Sequence, residues 1–153
     1  MLNVSETLDL RQLLAAVGDA VVVTDGAGAI ILWNPGAERM FGYTEREALG
    51  ASLDLIIPDR LRKRHWDGYH QTMRTGETKY GTTLLRVPGQ HRDGSSLSIA
   101  FTVAMIHDAE GRPSAIAAVI RDETSRFNED RALRKRLAEA EAKLAAYSQA
   151  PAS

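Results

Sequence analysis

Apolar residues change their spacing several times along the chain, and each change marks an element. Ala20-Val21-Val22-Val23-Thr24 and Ile30-Ile31-Leu32-Trp33 are β-branched, apolar runs. The turn-forming Asp25-Gly26-Ala27-Gly28 between them predicts a hairpin over residues 19–33. Ahead of it, Leu8, Leu13, Leu14 and Val17 recur near helical spacing, predicting a short helix opened by Ser5 and ended by Gly18. Downstream, Asn34 suits a helix cap and Pro35 a first helical turn, with Ala37, Met40 and Phe41 as the apolar face. Gly42-Tyr43-Thr44 ends that helix. Thr44 and Glu47 form a capping box that opens another, closed by Ala48-Leu49-Gly50. Leu53 to Ile57 is an apolar link stopped by Pro58.

The helical period returns from Asp59 to about Arg74. Leu61, His65, Gly68/Tyr69 and Thr72/Met73 share one face, and Arg60, Arg62, Lys63, Arg64, Asp67 and Gln71 lie mostly on the other. Thr75-Gly76 is a stop. Thr82 to Pro88 predicts a strand, and Gln90 to Gly94 a hairpin turn. Leu97, Ile99, Phe101, Val103 and Met105 then alternate with Ser98, Ala100 and Thr102, the period of a half-buried strand. Ala109 to Pro113 is another turn, and Ala115 to Ile120 the last strand. Residues 124–147 contain neither Gly nor Pro, and Leu133, Leu137, Ala140, Leu144 and Tyr147 follow the seam of a coiled coil, interrupted upstream by Asp130.

Helices gathered between the second and third of five tightly connected strands predict an α+β fold with an antiparallel sheet. The domain expectation is an N-terminal flanking helix over 1–18, a core over 19–122, a dimerisation helix over 123–148 and a frayed tail over 149–153.

Composition narrows the functions. The chain has 153 residues, 44% of them hydrophobic and 25% charged, enough for one core without staples. There is no cysteine, which removes disulfides, thiolate metal sites, cysteine nucleophiles and flavin–cysteinyl adducts. A net charge of −1 favours neither nucleic acid nor an anionic membrane. The chain shows neither a signal-peptide start nor an apolar run near the roughly 18 residues that span a bilayer, so a cytoplasmic protein is expected. It has no Gly-rich phosphate loop, nucleophile–base motif or paired carboxylates on a shared face, so it is not expected to be an enzyme.

His65 is the conspicuous chemical group. A neutral imidazole on a buried helix face is a metal or haem ligand in one reading and a backbone-bonded core histidine in the other. Trp66 and Tyr69 either wall a pocket or pack as ordinary aromatics. The cationic run Arg60–Arg64 is either an anion site or a solvated face. His70, His91 and His107 lack metal-ligand spacing and are expected at the surface.

Several blocks carry a resemblance. They are Val21-Val22-Val23-Thr24-Asp25, Ile31-Leu32-Trp33-Asn34-Pro35, Ala37 through Gly50, His91-Arg92-Asp93-Gly94-Ser95 and Ala117 through Thr124. Over about residues 7–126 the chain resembles the PAS sensor-domain family. That resemblance implies a five-stranded antiparallel sheet of order 2-1-5-4-3 with helices over one face. It also implies a sensed ligand, cofactor or light signal and output through flanking helices that dimerise.

Residues 58–77 look most like the haem-PAS oxygen sensors, whose proximal histidine lies seven residues after a proline; Pro58 and His65 match. The resemblance implies haem b on His65, with Leu61, Tyr69, Leu85, Ile99, Phe101, Val103 and Ile120 around it and Arg64 near the propionates. Those sensors often place an arginine on the following strand; this chain aligns Leu85 there, with Arg86 on the opposite face. Arg121, Asp122 and Thr124 correspond to the family's signal exit, with Asp122 as helix cap and Arg121 paired to a carboxylate near it. Leu133, Leu137, Ala140 and Leu144 would form a homodimer, with a separate effector protein as partner. Two other readings stay open: a cofactor-free dimerisation and docking module, and a receptor for an apolar small metabolite.

Overall fold

A computed structural model describes residues 8–78, 82–149 and 151. Helix α1 (Leu10–Ala16) is followed by β1 (Ala20–Asp25) and β2 (Ile30–Trp33). The cap of α1 is Asp9, whose carboxylate accepts from the Arg11 and Gln12 amides; Ser5 lies outside the described residues. The helix also stops before the expected Gly18, because Val17 already has extended backbone.

β1 and β2 pair antiparallel, with Val22 opposite Trp33 and Thr24 opposite Ile30. A register shift between Val23 and Thr24 turns both Ile30 and Trp33 to the inner face, which regular alternation would not allow. Asp25 closes the turn, its carboxylate accepting from the amides of Ala27 (2.9 Å) and Ala29 (3.0 Å).

Asn34 is a junction. Its Oδ1 accepts from the amides of Val21 (2.8 Å) and Ala37 (3.0 Å), and its Nδ2 donates to the carbonyls of Leu14 (2.9 Å) and Asp19 (3.1 Å). One side chain thus caps α2 (Pro35–Phe41) and ties it to α1 and β1. Gly42 ends α2 at φ 84°. Thr44 caps α3 (Glu45–Ala48) through the Glu47 amide, as the capping-box spacing predicts. A 3₁₀ turn over Leu53–Ile56 then leads into α4 (Asp59–Thr75), which ends at Gly76.

β3 (Leu85–Gln90), β4 (Ser96–His107) and β5 (Pro113–Asp122) complete a sheet of order β2-β1-β5-β4-β3. β3 starts later than the expected Thr82 and runs past Pro88. The proline is tolerated because β3 is an edge strand. The inner face carries Val22, Thr24, Ala118, Ile120, Ile99 and Phe101, and the buried core joins Trp33 and Phe41 to it. The Trp33 and Phe41 rings lie 5.6 Å apart, and the Trp33 indole donates to the Tyr43 carbonyl at 2.9 Å. Burying side chains of this size stabilises by about 1.5–3 kcal/mol each.

Residues up to Asp122 form one compact unit and those from Glu123 a second. The second unit is α5 (Thr124–Gln149), a single continuous helix. Leu133 is 58% exposed, Leu137 59% and Leu144 69%, so its apolar seam is uncovered.

Candidate cofactor-binding site

α4 lies over the inner face of the sheet and supplies the chemistry. The helical period turns Tyr69 fully inward and leaves Leu61, His65, Trp66, Thr72 and Met73 half-buried. Gly68, expected on this stripe, is exposed. The stripe's centre lies between the 61-65-69 and 62-66-69-73 rows, which brings Arg62 and Trp66 in and rotates Gly68 out.

Arg62 is therefore not part of a solvated cationic face. Its Nε donates to the Ile57 carbonyl (3.0 Å) and its Nη2 to the Asp54 carbonyl (3.1 Å), while Nη1 lies 2.6 Å from the Asp59 carboxylate. It clips the 3₁₀ turn to the start of α4. Arg60, Lys63 and Arg64 are exposed, as a solvated face requires.

Two aromatic side chains anchor α4. The Trp66 indole donates to Asp54 Oδ1 at 2.7 Å, and its ring fills the space over Gly28; a Cβ there would sit 2.3 Å from the ring. The Tyr69 hydroxyl donates to the Asp25 carbonyl and lies 2.9 Å from the Thr24 hydroxyl. Burial raises the Tyr69 phenol above its ordinary value, opposed by the Thr24 hydrogen bond.

His65 stands between these anchors, its ring centroid 4.6 Å from that of Trp66 and 5.9 Å from that of Tyr69. Its Nδ1 is buried and has no hydrogen-bond partner among the described residues. Burial lowers its pKa below the usual histidine value, partly opposed by Asp54, while His70 lowers it further. Burial thus favours the neutral imidazole, the form that coordinates metal.

The remaining sequence-derived residues divide into groups. Leu85, Phe101 and Val103 lie on the inner face and are only half-buried, with Leu85 opposite Phe101 and Val103 opposite Ala118. Ile99 and Ile120 are buried within the core. Arg64 is exposed and Arg86, opposite Ala100, is also exposed.

Among the other histidines, His70 and His107 are exposed as expected. His91 is not a plain surface residue. Its Nδ1 accepts from the Asp93 amide at 3.1 Å, and its ring covers Gly42, where a Cβ would sit 2.6 Å from Cε1.

At the exit of the core, Arg121 makes two contacts with the Asp19 carboxylate, at 3.2 and 3.1 Å. One carboxylate partner of Arg121 therefore precedes β1. Asp122 is the last residue of β5, opposite Ile99; Thr124 opens α5, and the Glu123 carbonyl accepts from the Phe127 amide at 2.8 Å.

Periodicity does not single out Asp54, Thr24 or Gly28. Each takes part through a long-range contact with α4, and only the glycine in the turn hints at a close approach. Among the described residues no group of three or more His, Cys, Asp or Glu side chains could hold a metal ion. No described helix is long and apolar enough to cross a membrane.

A five-stranded antiparallel sheet of order 2-1-5-4-3, with short helices and one longer helix over a single face, defines the class as a small α+β cradle. The family model of the PAS fold matches residues 8–122, and the chain belongs to that family. It is 36% identical over 95 residues to the sensor protein FixL of Bradyrhizobium diazoefficiens, covering 61% of this chain and 19% of that protein. It is 27% identical over 90 residues to the oxygen sensor protein DosP of Escherichia coli, covering 59% of this chain and 11% of DosP. The chain thus spans less than a fifth of either relative.

Among solved structures, the PAS domain of a Colwellia psychrerythraea protein superposes with a TM-score of 0.68 at 22% identity, over 80% of this chain and 99% of that one. An RNA-binding light-oxygen-voltage receptor superposes with a TM-score of 0.66 at 18% identity, over 84% of this chain and 36% of that one. Those likenesses establish the fold.

Proposed function

We propose that this PAS domain is a cytoplasmic sensory module that would hold haem b between α4 and the inner face of the sheet, with His65 as the residue that would bind its iron. The signal read is a diatomic gas or a redox change, and the output passes through a dimer of α5 to a separate effector protein. The observation that carries this reading is the buried, unpartnered Nδ1 of His65. A buried polar nitrogen left unpaired costs about 1–3 kcal/mol, a cost that an iron bond at the ring's other nitrogen would offset. The sensor FixL and the oxygen sensor DosP, both similar over this region, support it.

The residues present fit the group. Burial favours the neutral form of His65, the form that would coordinate iron. Leu61, Leu85, Phe101 and Val103 leave apolar surface half-covered on either side of the cradle, the kind a flat macrocycle would cover. Ile99 and Ile120 form the wall beneath them. Arg64, exposed one residue before His65, would meet a propionate. Haem would supply the iron centre at which gas or redox state is read. Leu85, where related sensors often carry arginine, offers no hydrogen bond, so the pocket discriminates by size and apolarity.

The chain itself supplies a route for the signal. Tyr69 ties α4 to Thr24 and Asp25, which pair with Ile116 and Ala115 of β5. β5 runs through Arg121 and Asp122 towards Thr124, so a shift of α4 would load the strand that leads into α5.

Purified protein supplied with haem is expected to show a Soret band that is lost or shifted in His65→Ala. Absence of a band in both forms would sink the haem reading. A second reading, a cofactor-free dimerisation and docking module, rests on a different observation. Trp66 and Tyr69 already bond to protein groups, so α4 is held in place without a ligand. It predicts no spectral change on adding haem and an unchanged melting temperature. Stabilisation by apolar metabolites but not by haem would favour the third reading, a small-molecule receptor.

A further inference from the structure

The seam of α5 is exposed, and the charges beside it restrict what can cover it. Spacing places Leu137 and Leu144 at a positions and Leu133, Ala140 and Tyr147 at d positions of a heptad. The flanking g positions are then Glu129, Arg136 and Lys143, and the e positions Arg134, Glu141 and Ser148; all are exposed.

We propose that the seam pairs with the same seam of a second copy of this chain, parallel and in register, and that Glu129, Arg134, Arg136 and Glu141 select that arrangement. The proposal rests on the dimeric reading of α5 given above and adds its direction and register.

In a parallel pair, each g residue faces the partner's e residue five positions on. Glu129 then meets the partner's Arg134, Arg136 meets the partner's Glu141, and Lys143 meets the partner's Ser148. Two-fold symmetry repeats each contact, so four attractive pairs form and no like charges meet across the flanks. Turned antiparallel, with Leu133 against the partner's Leu144, Arg134 still finds the partner's Glu141. Arg136 then faces the partner's Lys143, and that repulsion also occurs twice. Asp130 would face its own copy in the parallel pair, which ends the seam there and starts the zipper at Leu133. Ala140, a small residue at a central d position, lets the helices approach closely.

The chain lacks cysteine, so an introduced thiol reports without background. Tyr147→Cys under mild oxidation is expected to give a disulfide-linked dimer. An antiparallel pair would set each new thiol about 25 Å from its counterpart, beside the partner's Asp130. Glu141→Arg should weaken the dimer about tenfold, from two lost attractions and two new repulsions. Adding Arg136→Glu to it should restore the affinity. Within its own helix Glu141 has only apolar neighbours three and four residues away, Leu137, Ala138, Leu144 and Ala145, whereas Arg136 has Glu139 at i+3, an attraction that Arg136→Glu removes and that cannot supply a gain in affinity. The rescue therefore reads the contact between chains. A dimer by light scattering that gives no link at 147, or that links only in a mixture of Asp130→Cys and Tyr147→Cys chains, overturns the parallel register. Monomeric wild-type protein at all concentrations overturns instead the dimeric reading beneath it and leaves the haem reading untouched.

Discussion

Tyr69 on α4 and Thr24 on β1 place their hydroxyl oxygens 2.9 Å apart. The phenol donates its one proton to the Asp25 carbonyl, so the Thr24 hydroxyl donates to the phenol oxygen. Three groups from two elements are satisfied at once, at a point one helical turn beyond His65. Tyr69→Phe leaves a buried hydroxyl and a carbonyl underbonded. It is expected to cost about 1–3 kcal/mol, measured by urea unfolding. If α4 communicates with β5 through this contact, the same variant would bind haem while losing its effect on α5.

Burial also makes the contact sensitive to alkali. The phenol is held above its ordinary 10.0 in the folded chain, so its contribution is complete below that value. As pH rises past it, the unfolded chain ionises first and stability falls until the folded phenol ionises too. Melting temperature should drop above about pH 10, and Tyr69→Phe should flatten that limb.

Gly28 and Trp66 fit as a hole and its filling. Gly28 has φ 87°, and an added methyl would meet the indole at 2.3 Å. Gly28→Ala combines backbone strain with a clash and should destabilise by about 2–4 kcal/mol. The Trp66 fluorescence should shift red as the ring leaves its seat.

Asn34 has its four hydrogen bonds shared among α1, β1 and α2. Asn34→Ala leaves two amides and two carbonyls without this partner and removes the cap of α2. A loss of about 2–4 kcal/mol is expected by chemical denaturation, against under about 1 kcal/mol for Arg121→Ala, whose ion pair with Asp19 is exposed.

Removing residues 128–153 takes away the whole exposed seam of α5. Light scattering should then show a lower dimer fraction with the melting temperature of the core nearly unchanged, since the residues removed all belong to the second unit. An unchanged mass would count against dimerisation through α5.

Local pattern was enough to place the strands, the helices and most of their caps. Alternation along Leu97–Met105 gives the inner face of β4, and Asn34-Pro35 and Thr44…Glu47 give two helix starts, because these signals act within a few residues. The strand order 2-1-5-4-3 came from the likeness of whole blocks to the PAS family. Spacing along one chain marks where strands lie but does not say which of them pair.

Tertiary contacts decided the rest. Sequence alone determined that His65 lies on an inward helical stripe and that the last helix carries a row of apolar residues at alternating spacings of four and three. Only the folded chain decided that Nδ1 of His65 is buried without a partner among the described residues, that Arg62 turns in and Gly68 out, and that Arg121 reaches back to Asp19. The physical reason is range. A period or a cap is set by neighbours three or four residues away, whereas the partners of Trp66, Tyr69 and Arg121 lie 12, 45 and 102 residues distant.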